Sequence, residues 1–481
     1  MSPYTVIFII VAYFIILITI SFFTSKGADN DAFFLGNKKS PWFIVAFGMI
    51  SASLSGVTFI SVPGWVVSSN FSYMQMVLGY LVGYAIIANV LMPMYYRLNL
   101  TSIYTYLGQR FGRYSYKTGA SFFLLSRIIG ASFRLFLVAN VLQILVFNTL
   151  NIPFEITVII TILLIWLYTF RGGIKTIIWT DSLQTLFMLI SVGVTIVLLS
   201  KSMNLDFKGV INTIAESPHS KLFYFDDIKS VNHFIKQFLA GAFIAVVMTG
   251  LDQDMMQKNL SCKNIKDAKK NMYWMSLSLV PVNLIFMSLG VLLVVFAQQN
   301  GIAMPERTDD LFPLIATKGY LSPVVGVFFV IGLVAAAYSS ADSALTALTT
   351  SFTVDILSPK NKTEQELKTI RTKVHVGVSL VLLLVIIVFN AINNESVISA
   401  IFKVAGYTYG PLLGMYAFGL FTKFKVKDKA VPFIAILSPI ICIFLNYFSQ
   451  ELLWGYKFGF EILILNGAIT FAGLLMFRRS R

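Results

Sequence analysis

Cysteine and histidine are nearly missing from this chain, with two of the first and three of the second in 481 residues. Cys262 and Cys442 offer no disulfide framework. His219, His233 and His375 stand too far apart for a metal-ligand spacing, which argues against a catalytic zinc centre. Charge is scarce as well. Asp, Glu, Lys and Arg make up 12% of the residues, about half the ~25% of a soluble domain. Too little polar surface is left to cover a water-soluble fold of this size.

What is abundant is apolar: 57% of the residues are hydrophobic, and the mean hydropathy is +0.78. Apolar runs of about 20 residues, the length that crosses a bilayer as a helix, recur from end to end. They predict an all-α membrane protein of about thirteen transmembrane helices, over 4–23, 42–68, 72–98, 118–148, 154–170, 178–200, 233–251, 271–298, 323–355, 370–390, 395–421, 430–449 and 455–478. The first run has no charged n-region and reads as a retained span, not a cleaved signal.

The net charge of +15 could suggest nucleic acid, and its distribution decides otherwise. With the N-terminus outside and the C-terminus cytoplasmic, most of the 37 Lys and Arg fall on inner loops. Arg97, Arg110, Arg113 and Lys117 belong there, with the basic residues of 258–270, 360–373, 423–429 and 478–481. That is the positive-inside pattern of a cell (plasma or inner) membrane protein. The basic charge reports topology, and no nucleic-acid partner is expected. Spans two to six and seven to eleven form two sets of five. An odd number inverts the second set relative to the first, giving an inverted repeat over 42–200 and 233–421. The extra N-terminal helix 4–23 and two C-terminal helices, 430–478, flank the repeats within one transmembrane domain, 1–481.

Several polar groups sit where hydrocarbon should. The run AAAYSSADSALTALTT, Ala335 to Thr350, carries Asp342, although a carboxylate at mid-membrane depth costs about 2.5–3.5 kcal/mol. Ser339, Asp342, Ser343 and Thr346 share one helical face, with Ser340 beside them. Converging oxygens suit a small hard cation. Hydroxyls alone could equally bond neighbouring helices, but an acceptor-only carboxylate wants a cation or a proton. Asp181, in RGGIKTIIWTDSLQTLF, is either a residue favoured by a helix N-terminus or a partner of Ser343 around a cation. Arg134 lies mid-helix in SRIIGASFRLFLVANVLQ and cannot deprotonate. It must meet a protein carboxylate, backbone carbonyls or an anionic ligand, whereas Arg127, nearer the helix end, reads as structural. SASLSGVTFISVPG, Ser51 to Gly64, gathers Ser, Gly and Pro that weaken a continuous helix. Unwound backbone at that depth must line a protein cavity; a closely packed kink is the alternative. TSIYTYLGQRFGR reads as a short amphipathic helix on the inner face.

SASLSGVTFIS, TSIYTYLGQRFG, FRGGIKTIIWTDSLQ, TGLDQDMMQKNLSCKNIKDAKK and SSADSALTALTTSFTVDIL together resemble the sodium:solute symporter family, over residues from about 35 to 420. That family includes sodium-coupled carriers of glucose, proline, iodide and sialic acid. The resemblance implies a leucine-transporter-type fold of two inverted five-helix repeats and transport in place of catalysis, with sodium ions as the coupled species. It implies a first sodium held by the carbonyls of Ser51, Leu54 and Ala336 and the hydroxyls of Ser339 and Ser340. A second would use Asp181, Ser339, Ser343 and Asp342, although many members have a hydroxyl residue where this chain has Asp342. For substrate it implies Ser53, Ser55 and Thr58 beside the helix break. Arg134 stands where sialic acid carriers hold a carboxylate. Sugar carriers place a polar side chain where this chain has Val77, with Gln75 nearby as the candidate contact.

The expected function is therefore sodium-coupled import of a small polar, carboxylate-bearing solute such as sialic acid, by alternating access. A neutral sugar or polyol and an amino acid are the alternative cargoes. The expected partners are that solute and the lipid bilayer, with the protein a monomer. A membrane-embedded sugar transferase would need acidic or histidine catalytic groups on a large outer loop, and 201–232 offers few. A channel or a solute sensor is the third class, separated by uptake measurements.

Overall fold

In the computed structural model the long apolar runs are helices, the form that satisfies backbone N–H and C=O groups within one segment where there is no water. The structure describes residues 3–24, 36–100, 102–169, 173–358, 362–392 and 396–479. Thr101 and Phe170–Gly172 of the quoted motifs lie outside the described residues, as do Lys360 and the last two residues of the chain. Among the described residues, eight helices are long and apolar enough to cross a membrane, or nine with one bent pair. Shorter apolar helices include Phe154–Trp166, Val397–Thr408, Gly410–Phe421 and Ile462–Met476. Extended pairing is confined to a two-residue ladder, Lys425–Val426 with Arg478–Arg479, and one bridge between Ser40 and Cys262. The protein is all-α and multi-pass.

Five segments position the site. The broken helix has two halves, Trp42–Ser53 and Gly56–Ser69, and the backbone leaves helical geometry at Ser55 (φ −9°, ψ 175°). The break thus falls inside the Ser-rich stretch where the sequence predicts it. The arginine helix is Arg113–Leu142, the aspartate helix Gly173–Ser202 and the hydroxyl helix Pro323–Ser351. The bent helix runs Phe234–Gly250, turns by 67°, and continues as Gln253–Leu260.

That last segment corrects the sequence reading, which ended a span at 251 and placed Lys258 in an inner loop. The chain passes through a wide π-helical turn at Val246–Gly250 and re-enters a helix whose eight residues are all buried. Asp252 caps it, its carboxylate accepting the N–H groups of Asp254 at 3.0 Å and Met255 at 3.4 Å. The capping bonds satisfy donors that a helix start leaves unpaired. The amphipathic segment also sits deeper than expected. Its helix, Thr105–Arg110, buries Tyr106 and Leu107. The preceding Tyr104 donates its hydroxyl to the Leu251 carbonyl at 2.9 Å, and Ile103 N–H bonds Gln253 Oε1 at 3.0 Å. This segment buttresses the bend and does not simply float at the membrane surface.

Glycine sets two close approaches. Tyr73–Ile86 and Phe234–Ala245 touch backbone to backbone: a Cβ on Gly79 or Gly83 would overlap the carbonyl oxygen of Phe238 or Ala242, and one on Gly241 that of Met76. At Gly64 in the broken helix a Cβ would overlap the carbonyl oxygen of Thr308, in the short turn Thr308–Asp310.

Candidate functional site

The break in the helix opens onto a cavity of about 70 Å³, large enough for several waters or the polar end of a ligand. Ser53, Ser55 and Thr58 line one wall, and Tyr73, Tyr80 and Tyr84 the next. Met248 and Thr249 come from the π-helical turn, Ile401 and Phe402 from Val397–Thr408, and Arg127 and Arg134 from the arginine helix. The hydroxyls of Tyr73 and Tyr80 share a hydrogen bond of 3.1 Å, and Ser53 Oγ lies 3.3 Å from Tyr84 OH. The wall is apolar with a few hydroxyls and two guanidinium groups, the usual make-up of a small-molecule site.

The two arginines differ in what answers them. Arg127 forms an ion pair with Asp254, and its Nη1 lies 3.7 Å from Asp252 Oδ2. Tyr409 donates its hydroxyl to the same Asp252 oxygen at 2.7 Å. Arg134 is 8% exposed, and its Nε and Nη1 have no hydrogen-bond partner among the described residues. A buried guanidinium without a carboxylate is costly. Arg134 thus lines the cavity and carries two buried donors that no described residue answers.

Gln75 does not belong to this cavity. Its side-chain nitrogen donates to the carbonyls of Ser72 (3.3 Å) and Asn232 (2.9 Å), and its oxygen accepts the Tyr224 N–H at 3.1 Å. The sequence reading offers it as a substrate contact; in the structure it ties down the 201–233 connection. Val77 is fully buried in the apolar core.

Below the cavity, the break packs on the hydroxyl helix so closely that a Cβ on Gly56 would stand 3.1 Å from Ala337 Cβ. Ser51 Oγ and Ser339 Oγ share a hydrogen bond of 2.9 Å, and Ser340 Oγ donates to the Ala337 carbonyl at 3.2 Å. Leu54 and Ala336, with Ser51, Ser339 and Ser340, are all buried. The last turn of Trp42–Ser53 adds carbonyls that a helix end leaves without intrahelical partners. The five residues predicted to hold the first cation thus lie along one seam between the break and the hydroxyl helix.

The second predicted set is brought only partly together. Ser339 Oγ donates to Asp181 Oδ1 at 2.7 Å. Asp342 Oδ1 accepts from Ser343 Oγ at 3.2 Å, and Ser343 Oγ also donates to the Ser339 carbonyl at 3.0 Å. The other Asp181 oxygen, Oδ2, accepts from Lys258 Nζ at 2.7 Å. Both side chains are 1% exposed. Asp181, which the sequence reading gives to a second sodium, is paired in this structure with the ammonium of Lys258. Lys258 also stands 4.0 Å from Asp254 Oδ1, so a chain of buried charges links Asp181 to Arg127.

The sequence profile of the sodium:solute symporter family matches residues 33–446. The chain belongs to that family. This symporter is 27% identical to the sodium/sialic acid symporter NanT of Aliivibrio fischeri over 423 residues, which is 85% of this chain and 81% of that one. It is 24% identical to the sodium/sialic acid symporter SiaT of Proteus mirabilis over 470 residues, 94% of this chain and 90% of that one. A solved structure of a Na⁺-coupled sialic acid symporter in a substrate-bound outward-open state has the same fold, with a TM-score of 0.82 at 20% identity. That match covers 98% of this chain and 97% of the other. Family membership means sodium-coupled transport of a solute across the bilayer, and not catalysis.

Two features of the symporter's site escaped the sequence reading. Tyr73, Tyr80 and Tyr84 follow an i, i+7, i+11 pattern that marks one helical face, a signal present but masked by a uniformly apolar run. Lys258 follows Asp254 by four residues in a segment opened by the capping Asp252, a helix signature legible in LDQDMMQKN.

Proposed function

We propose that this symporter imports a small solute bearing a carboxylate, of the sialic acid kind, by alternating access coupled to sodium. The observation that carries the reading is Arg134, a buried guanidinium that lines the cavity beside the helix break and whose Nε and Nη1 have no hydrogen-bond partner among the described residues. A planar fork of donors fits a carboxylate, and the serine, threonine and tyrosine hydroxyls around it fit a polyhydroxylated body.

The proposed architecture has thirteen spans, the N-terminus outside and the C-terminus cytoplasmic, with the leucine-transporter-type inverted repeat over 42–200 and 233–421. Sodium, as cargo, lies between the carbonyls of Ser51, Leu54 and Ala336 and the hydroxyls of Ser339 and Ser340. It draws the break against the hydroxyl helix and so fixes Ser53, Ser55 and Thr58 for the substrate. Each net positive charge carried inward gains about 2.3 kcal/mol per 100 mV of membrane potential.

Uptake of radiolabelled sialic acid into proteoliposomes, under an inward sodium gradient against equal potassium, tests the reading. Accumulation that needs sodium and is competed by free acids is expected. Sodium-driven uptake of a neutral sugar or an amino acid, with sialic acid inert, would overturn the substrate assignment and leave sodium symport standing.

A further inference from the structure

We propose that Lys258 is a tethered rival of the transported sodium: its ammonium holds Asp181 until a sodium ion takes that carboxylate, and it then passes to Asp254. This rests on the sodium-coupled reading of the site. Lys258 Nζ lies 2.7 Å from Asp181 Oδ2 and 4.0 Å from Asp254 Oδ1. The receiving oxygen, Asp254 Oδ1, is buried and has no hydrogen-bond partner among the described residues. A lysine stem is flexible and its head carries three rotatable donors, so rotation of its end torsions carries the ammonium from one carboxylate to the other.

A sodium ion and the ammonium compete for Asp181, because like charges that close repel one another in a dry site. What the ion would gain is already shaped: Asp181 Oδ1 accepts from Ser339, which in turn bonds Ser51 in the seam proposed for the first ion. Occupancy of that seam and of Asp181 are thus read by one hydroxyl. The other end of the exchange reaches the substrate. Asp254 is one of the two carboxylates that hold Arg127, the other being Asp252, and Arg127 lines the cavity beside Arg134. When Lys258 arrives at Asp254, Arg127 shares its partner and becomes available to an anion in the cavity. Sodium and solute are coupled through alternative ion pairs of one carboxylate.

The test is equilibrium binding of radioactive sodium to the purified full-length protein, with thermal shift in sodium against choline, for the wild type, Lys258→Gln, Lys258→Arg and Asp254→Asn. Removing the rival should tighten sodium binding in K258Q about tenfold or more, some 1.4 kcal/mol or above, and steepen the sodium dependence of Tm. K258R keeps a rival and should bind as the wild type does, whereas D254N removes the receiving carboxylate and should weaken sodium binding. A K258Q protein that folds only in sodium also supports the exchange, since the ion then replaces the ammonium. K258Q that binds sodium no tighter than the wild type, or that aggregates at every sodium concentration, overturns it and makes Lys258 a structural strut. If no protein in the set responds to sodium, the symport reading itself falls; equal responses in all four sink only the role of Lys258.

Discussion

Replacing Arg134 separates a substrate ligand from a structural charge. In Arg134→Ala, two buried donors with no partner among the described residues are removed, so no described carboxylate is stranded and the fold loses little. Arg127→Ala is the contrast. It leaves Asp252 and Asp254 without their guanidinium, and a buried pair broken on one side costs about 3–5 kcal/mol. Thermal stability should therefore be near wild type for Arg134→Ala and clearly lowered for Arg127→Ala. Transport should show the reverse weighting for Arg134. A charge-assisted hydrogen bond is worth about 1.5–3 kcal/mol, roughly a tenfold to hundredfold loss in apparent affinity. Arg134→Lys keeps the charge but loses the fork, so its apparent KM should rise by about that factor, and Arg134→Ala should nearly abolish uptake. Sodium binding without substrate should survive both. The assay is initial-rate uptake into proteoliposomes, with the free acid, its methyl ester and its amide as competitors. Unchanged KM in Arg134→Lys, or ester and amide competing as well as the acid, refutes the role given to Arg134.

Three further outcomes are expected. Ser340→Ala removes a hydroxyl from the seam and should raise the half-saturating sodium concentration severalfold in a well-expressed protein, measured as sodium activation of uptake. Gly64→Ala drives a Cβ into the Thr308 carbonyl, an overpacking that costs about 1–3 kcal/mol and should appear as a lower Tm. Asp309, in the turn Thr308–Asp310, accepts the Val397 N–H at 3.0 Å. Burial pushes its carboxyl up to about 6, against the opposing hydrogen bond from the Val397 N–H. A carboxyl raised in the folded state binds its proton more tightly there than in the unfolded chain, so this group adds stability on acidification from about pH 6 toward pH 4. The Tm difference between wild type and Asp309→Asn should change with that sign across the window; a difference independent of pH would show that Asp309 does not titrate there.

Much of the fold is legible in the sequence because the bilayer imposes length and composition on each span separately. Local chemistry also places the break between Ser53 and Gly56, where Leu54 and Ser55 interrupt two helices. Pairing across distant segments is not legible in the same way. Lys258 reads as one more inner-loop charge, since its neighbours are polar and only the folded chain shows Asp181 beside it. Gln75 reads as a cavity residue because a polar side chain in an apolar span invites a ligand, yet its three bonds go to backbone atoms, one at Ser72 and two in the 201–233 connection. Arg134 was visible as an unsolved charge. That no carboxylate among the described residues answers it, while Arg127 next to it has two, could only come from three dimensions.

The backbone contact between Tyr73–Ile86 and Phe234–Ala245 has a mechanical consequence. Helices meshed through Gly79, Gly83 and Gly241 have no side-chain cushion to slide on, so they travel as one plank. The tyrosine wall and the start of the π-helical turn are mounted on that plank, and Arg134 is not. A change in the separation between the plank and the arginine helix would widen or narrow the cavity. A solute gripping the tyrosine hydroxyls at one end and Arg134 at the other would span the joint that moves.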